Sequence, residues 1–112
     1  MITLIENSIT IDEYLYLREQ VGWALLSDRQ AQMAIENSLY NVKAVDEHGY
    51  ILGMGRIVGD GAVISYIQDL VVIPEAQGKG VGSMIIKSLI SYVESIKEDG
   101  TTMMLCLMTL LS

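Results

Sequence analysis

The chain has 112 residues, 51% of them hydrophobic and 19% charged, with a net charge of −7 at pH 7. That size and composition give one domain around a single core and exclude a disordered chain. The acidic balance argues against nucleic acid as a general partner and favours cationic ones, while no apolar run reaches the length of a membrane span. Met1 to Glu6 has no basic region of the kind that opens a secretory signal. A single cysteine, Cys106, cannot close an internal disulfide, and the chain is expected to be cytoplasmic.

In chain order, a short strand is expected at about Ile2 to Glu6. Thr10-Ile-Asp-Glu13 is a capping box and predicts a helix whose core face is Tyr14, Leu17 and Val21, ended by Gly22-Trp23. Ser27-Asp-Arg-Gln30 is a second box, and the helix it opens points Ala31, Ala34, Ile35 and Leu39 inward. Tyr40 to Asp46 and Tyr50 to Val58 read as strands around a turn at Glu47-His48-Gly49. Gly59-Asp60-Gly61 predicts a tight hairpin into a third strand, Ala62 to Ile73, so that the three form an antiparallel meander. A long helix from about Gly80 to Lys97 buries Val81, Ile85, Leu89, Val93 and Ile96 and exposes Lys87, Glu94, Lys97 and Glu98. Glu98-Asp99-Gly100 stops it, and Thr101 to Leu110 is a continuous apolar strand. A strand, a crossover helix and a strand imply parallel pairing, so the fold class is α+β with a mixed sheet flanked by helices.

The chemistry is concentrated where the strand ending at Ile73 passes through Pro74-Glu75-Ala76 into Gln77-Gly78-Lys79-Gly80-Val81-Gly82-Ser83. The first N–H groups of a helix have no intrahelical partner, and the macrodipole adds partial positive charge there. Glycines at 78, 80 and 82 remove the Cβ atoms that would hold a phosphate away from that backbone. The spacing excludes a Walker A loop, and the dinucleotide fingerprint fails because its third glycine would fall on Ser83. What fits is Gln-x-x-Gly-x-Gly at Gln77, Gly80 and Gly82. Here, and in the preceding Asp69-Leu-Val-Val-Ile-Pro-Glu75, the chain resembles the GNAT N-acetyltransferase superfamily, whose acyl-CoA pyrophosphate loop reads Arg/Gln-x-x-Gly-x-Gly/Ala.

The resemblance implies acetyl-CoA as cosubstrate and a GNAT-like acyl-CoA N-acyltransferase fold over residues 1–112. It implies that backbone groups of Leu70, Val71 and Val72 pair with the pantetheine arm, at a strand that splays from its neighbour at a bulge. Backbone N–H groups of Gln77, Gly78, Lys79, Gly80, Val81, Gly82 and Ser83 would hold the pyrophosphate. Binding energy from the remote CoA tail then positions the thioester for attack by a neutral primary amine, on a small molecule or a protein. The helix pair before the sheet matches where the family builds its acceptor cleft, with Tyr14 and Trp23 as candidate lining residues; both equally suit the core. Asp69 is a candidate base or substrate carboxylate, or else a structural polar residue beside the bulge. In many family members a tyrosine beyond the last strand seen here is the acid, and the family domain usually continues with a helix and two further strands. The chain is therefore expected to be C-terminally truncated relative to the family, and a non-catalytic acyl-CoA-binding module is the alternative to an enzyme.

The other reactive side chains have plainer readings. Cys106 reads as a small buried hydrophobe, His48 as a turn residue, Glu75 and Lys79 as loop residues, and no cluster suggests a metal. If Met103 to Leu110 is an edge strand, its apolar side invites pairing with a second copy, and a homodimer or higher homo-oligomer is expected.

Overall fold

The computed structural model describes residues 1–105. One five-stranded sheet in the order β1-β2-β3-β4-β5 carries helices on both faces. The strands are β1 (Thr3–Glu6), β2 (Tyr40–Val45), β3 (Ile51–Gly59), β4 (Ile64–Val72) and β5 (Thr102–Leu105), and the helices are α1 (Ile11–Gln20), α2 (Asp28–Glu36) and α3 (Val81–Ile96). β1 to β4 run as an antiparallel meander, and β5 returns through α3 to lie parallel to β4, from Ile64↔Thr102 to Ile67↔Leu105. The expected meander and parallel crossover are both present. The rest of the expected last strand, 106–110, and Cys106 with it, lie outside the described residues.

Both capping boxes form, and each fixes the start of its helix. Thr10 Oγ1 accepts from the Glu13 amide at 3.1 Å while Glu13 Oε1 accepts from the Thr10 amide at 3.0 Å. Ser27 and Gln30 repeat the exchange at 3.1 and 2.8 Å. α1 ends in a Schellman motif: the Gly22 amide donates to Glu19 O and the Trp23 amide to Arg18 O, both at 3.0 Å. Lys43 on β2 then ties the helix to the sheet, its Nζ 2.8 Å from Glu13 Oε1. Partial burial works against the Glu13 carboxylate, but the bonds from Lys43 and Thr10 outweigh it and leave its pKa below the ordinary value.

Three boundaries differ from the sequence expectation. β4 begins at Ile64 rather than Ala62, because Asp60 Oδ1 takes the amides of Ala62, Val63 and Ile64 at 2.8–3.1 Å and widens the turn. Those amides also hold the Asp60 carboxyl below its usual pKa. α2 stops at Glu36, so Leu39 packs from the segment leading into β2. Pro74–Ala76 forms a single 3-10 turn between β4 and the glycine loop.

The two faces of the sheet are built differently. α3 lies over β2, β3 and β4 and buries Val81, Ile85, Leu89 and Val93. It approaches β3 so closely that a Cβ on Gly55 would stand 2.8 Å from Leu89 Cδ1 and 2.9 Å from Ile85 Cγ2. Tyr40 joins this face, stacking on Tyr92 with ring centroids 4.6 Å apart and sharing a 2.6 Å hydrogen bond with Ser88. The opposite face receives α1, which packs on β3 and β4 and brings α2 with it.

Candidate active site

The geometry begins with a bulge in β4. Met54 pairs with Val71 and Arg56 with Gln68, so Gly55 alone faces the two residues Asp69 and Leu70. Asp69 carries the extra residue's distortion with φ at +51°, a left-handed conformation that costs an L-residue about 1–2 kcal/mol and that aspartate tolerates better than most. The bulge reverses the facing of the strand. Ile67 pairs with Ile57 and Val71 with Met54, and residues 57 and 54, three apart on β3, lie on opposite faces.

Asp69 is thereby turned toward α1, where its carboxylate meets three donors. Tyr14 Oη donates to Oδ2 at 2.5 Å, Arg56 Nε to the same oxygen at 2.7 Å, and Arg18 Nη1 to Oδ1 at 2.7 Å. Asp69 is 4% exposed and Tyr14 1%, so the ion pairs are desolvated and their geometry matters. Arg56 continues to Ala34 O at 3.2 Å and Ser38 Oγ at 3.3 Å, joining α2 to the cluster. Burial, and then the Asp69 charge and hydrogen bond, push the Tyr14 hydroxyl up to about 12, against the opposing pull of Arg56 and Arg18.

Eight residues further on, the glycine loop is assembled from backbone. Gly78 and Gly80 have φ of +79° and +85°, and Gly80 is the N-cap of α3. No side chain caps this helix, and its first turn contains no acidic residue. Gln77, Gly78, Lys79, Gly80 and Ser83 are exposed, whereas the Val81 side chain is in the core, so Val81 can offer a ligand only its amide. Gln77 Nε2 turns back to Val72 O at 3.0 Å and secures the loop to the end of β4. A helix N-terminus with unfilled donors, glycines and no competing carboxylate in its first turn suits a pyrophosphate. Among the described residues no group of three or more His, Cys, Asp or Glu could hold a metal ion.

The remaining candidates separate. Leu70 and Val72 are half-buried and Val71 is buried; the described register with β5 ends at Ile67↔Leu105, so the expected divergence of the strands lies outside the described residues. Tyr14 is a core residue that spends its hydroxyl on Asp69. Trp23 instead lines a groove of about 260 Å³ with Leu15, Arg18, Glu19, Leu25 and Leu26, and the Arg18 guanidinium carbon lies 5.1 Å from its ring centroid. Arg18 and Arg56 went unrecognised in the sequence. For Arg18 the one available signal was its position four residues after Tyr14, on the same helical face; Arg56 showed as a lone charge in an apolar strand.

A mixed sheet whose fourth strand bulges and then feeds a glycine loop at a helix N-terminus defines an acyl-CoA-type transferase fold. The family model described as "Acetyltransferase (GNAT) family" matches residues 8–108, and the chain belongs to that family. An uncharacterised ycf52-like N-acetyltransferase of Prochlorococcus marinus is 33% identical over 99 residues, covering 84% of this chain and 52% of its own length. The ycf52 N-acetyltransferase of Pyropia yezoensis is 25% identical, with 87% and 58% covered. The chain thus spans about half the length of these curated relatives. Among solved structures, a probable acetyltransferase of unknown function from meticillin-resistant Staphylococcus aureus superposes with a TM-score of 0.87 at 26% identity, covering 95% of this chain and 79% of that one. A GNAT-family acetyltransferase from Streptococcus pneumoniae gives 0.75 at 29%, with 95% and 75% covered. The expected GNAT-like fold is therefore the observed one.

Proposed function

We propose that the protein is an N-acetyltransferase that moves an acetyl group from acetyl-CoA to a primary amine. The observation that carries this reading is the unfilled, acid-free N-terminus of α3 behind two left-handed glycines, at the end of a bulged strand. Acetyl-CoA supplies the activated acyl group. The amides from Gly78 to Ser83 bind its pyrophosphate, Lys79 adds a modest charge at the rim, and the backbone of Leu70, Val71 and Val72 orients the pantetheine arm. A backbone N–H beside Leu70 polarises the acyl carbonyl, and remote binding energy holds the acyl carbon for attack. The groove at Trp23 and Arg18 receives the acceptor, a small-molecule or protein amine, and the net charge of −7 favours a cationic one. Among the described residues no helix is long and apolar enough to cross a membrane; a cytoplasmic location is part of the proposal. Met103 and Met104 are 40% and 46% exposed on β5, and a homo-oligomer formed through that strand is the accompanying proposal.

One observation favours a second reading, a non-catalytic acyl-CoA-binding module. Among the described residues Asp69 already takes three donors and Tyr14 is its partner, so neither is free to move a proton from the amine. A thermal-shift titration with acetyl-CoA, with NADH and ATP as controls, tests what the two readings share. At a hundredfold excess over the dissociation constant, binding adds about 2.7 kcal/mol of stability. A shift with acetyl-CoA alone is expected, and no shift overturns both. Thiol release across a panel of amines then separates them: turnover supports the enzyme, binding without turnover the module.

A further inference from the structure

We infer that the Asp69 carboxylate is a positioning group which, by gathering Tyr14, Arg18 and Arg56, locks the bulge of β4 and so sets the direction of the Leu70 and Val71 amides. Its functional meaning rests on the proposed acyl site; the lock itself rests on geometry alone. A bulge can migrate along a strand, because one extra residue may in principle be accommodated at several registers. Here the alternatives are closed by charge. With regular alternation Asp69 would share the face of Ile67, which pairs with Ile57 on the side covered by Ile85 and Leu89. A carboxylate there would be buried among apolar side chains with no donor. In the bulged register it reaches one phenol and two guanidiniums, drawn from α1 and β3, and Arg56 carries the connection on to Ala34 O and Ser38 Oγ at the end of α2. The strand opposite cannot yield either, since Gly55 already lies against Leu89 and Ile85. Left-handed backbone at Asp69 is thus held by side chains rather than chosen by a glycine.

The test is amide hydrogen exchange by NMR on the unliganded protein, in Asp69→Gly, Tyr14→Phe and Leu17→Ala. Glycine suits the backbone angle but has no carboxylate; phenylalanine removes one donor; Leu17→Ala removes buried volume from the same helix and no donor. The lock predicts that exchange at Leu70 and Val71 rises about tenfold relative to Val42 and Ile57 in the first two variants, and that Leu17→Ala raises exchange without singling out the bulge. Acetyl-CoA affinity should fall about tenfold in the first two and stay near the wild-type value in the third. Wild-type exchange at Leu70 and Val71 in Asp69→Gly would overturn the inference, because a left-handed residue alone would then suffice. If Asp69→Gly does not fold, Tyr14→Phe decides, and no preferential rise at the bulge overturns the lock. A selective response in a protein whose wild type ignores acetyl-CoA would uphold the lock and remove the proposed function instead.

Discussion

The bulge and the glycine loop sit on one strand–helix unit, eight residues apart, and are made in opposite ways. The loop is exposed backbone: glycines, an uncapped helix start, and one side chain, Gln77, folded back to hold it. The bulge is a buried side-chain construction in which a non-glycine residue is held left-handed by partners that lie 13 to 55 positions away in sequence. The first is therefore expected to tolerate side-chain change and respond to backbone change. The second is expected to respond to the loss of any partner.

Four experiments test that contrast. Asp69→Ala should have the largest effect, because it leaves two guanidiniums, 15% and 16% exposed, without their anion. Breaking a buried pair costs about 3–5 kcal/mol, and a fall in Tm of roughly 10 °C or more is expected by calorimetry. A wild-type Tm would show that the cluster contributes little. Gly80→Asp should next remove acetyl-CoA binding by about a hundredfold or more, equivalent to about 2.7 kcal/mol, by placing a carboxylate where the pyrophosphate is to sit. It should cost less in stability than Asp69→Ala, since a side chain at φ of +85° is strained by about 1–2 kcal/mol, and aspartate visits left-handed backbone more readily than most residues. Retained binding in a titration would move the cofactor site elsewhere.

The third concerns pH. The Tyr14 pKa is raised from 10.0 to about 12, so the folded state holds this proton more tightly than the unfolded one. Its contribution is complete below pH 10 and is lost as pH rises toward 12, an effect of about 2–3 kcal/mol. Denaturant melts should fall more steeply over that window in the wild type than in Tyr14→Phe; parallel curves would mean that the hydroxyl is not held as drawn. The smallest effect belongs to Lys79→Ala. If the loop binds through amides, as proposed, affinity for acetyl-CoA should drop by less than about tenfold, and Tm by no more than a surface substitution's ~0.5 kcal/mol allows. A larger loss would make the site a side-chain site after all.

Much of this was legible beforehand. The capping boxes at Thr10 and Ser27 form as their spacing requires, because each is closed within four residues. Val81, Ile85, Leu89 and Val93 of the expected α3 stripe are buried, Ile96 at its end is half-buried, and Gly80 lies at the helix start. The hairpin after Gly59 is two residues wider than its sequence implies, since nothing in Gly-Asp-Gly announces that one carboxylate will take three amides in succession. The sequence leaves Tyr14 equally suited to cleft and core; the fold puts it in the core with its hydroxyl on Asp69.

Local chemistry, then, was enough for the elements, their order, the parallel crossover and the glycine loop, because caps, periodicities and glycine turns act over a few residues. The facing of β4 was not available at that range. Ile67, Asp69 and Val71 all alternate with half-buried neighbours and read as one inward row. Only the assembled fold puts Ile67 against the α3 side and Val71 against the other, with Asp69 between them bound to α1 and β3. A bulge is chosen by where distant side chains lie when the sheet closes, and no window of the sequence contains them all.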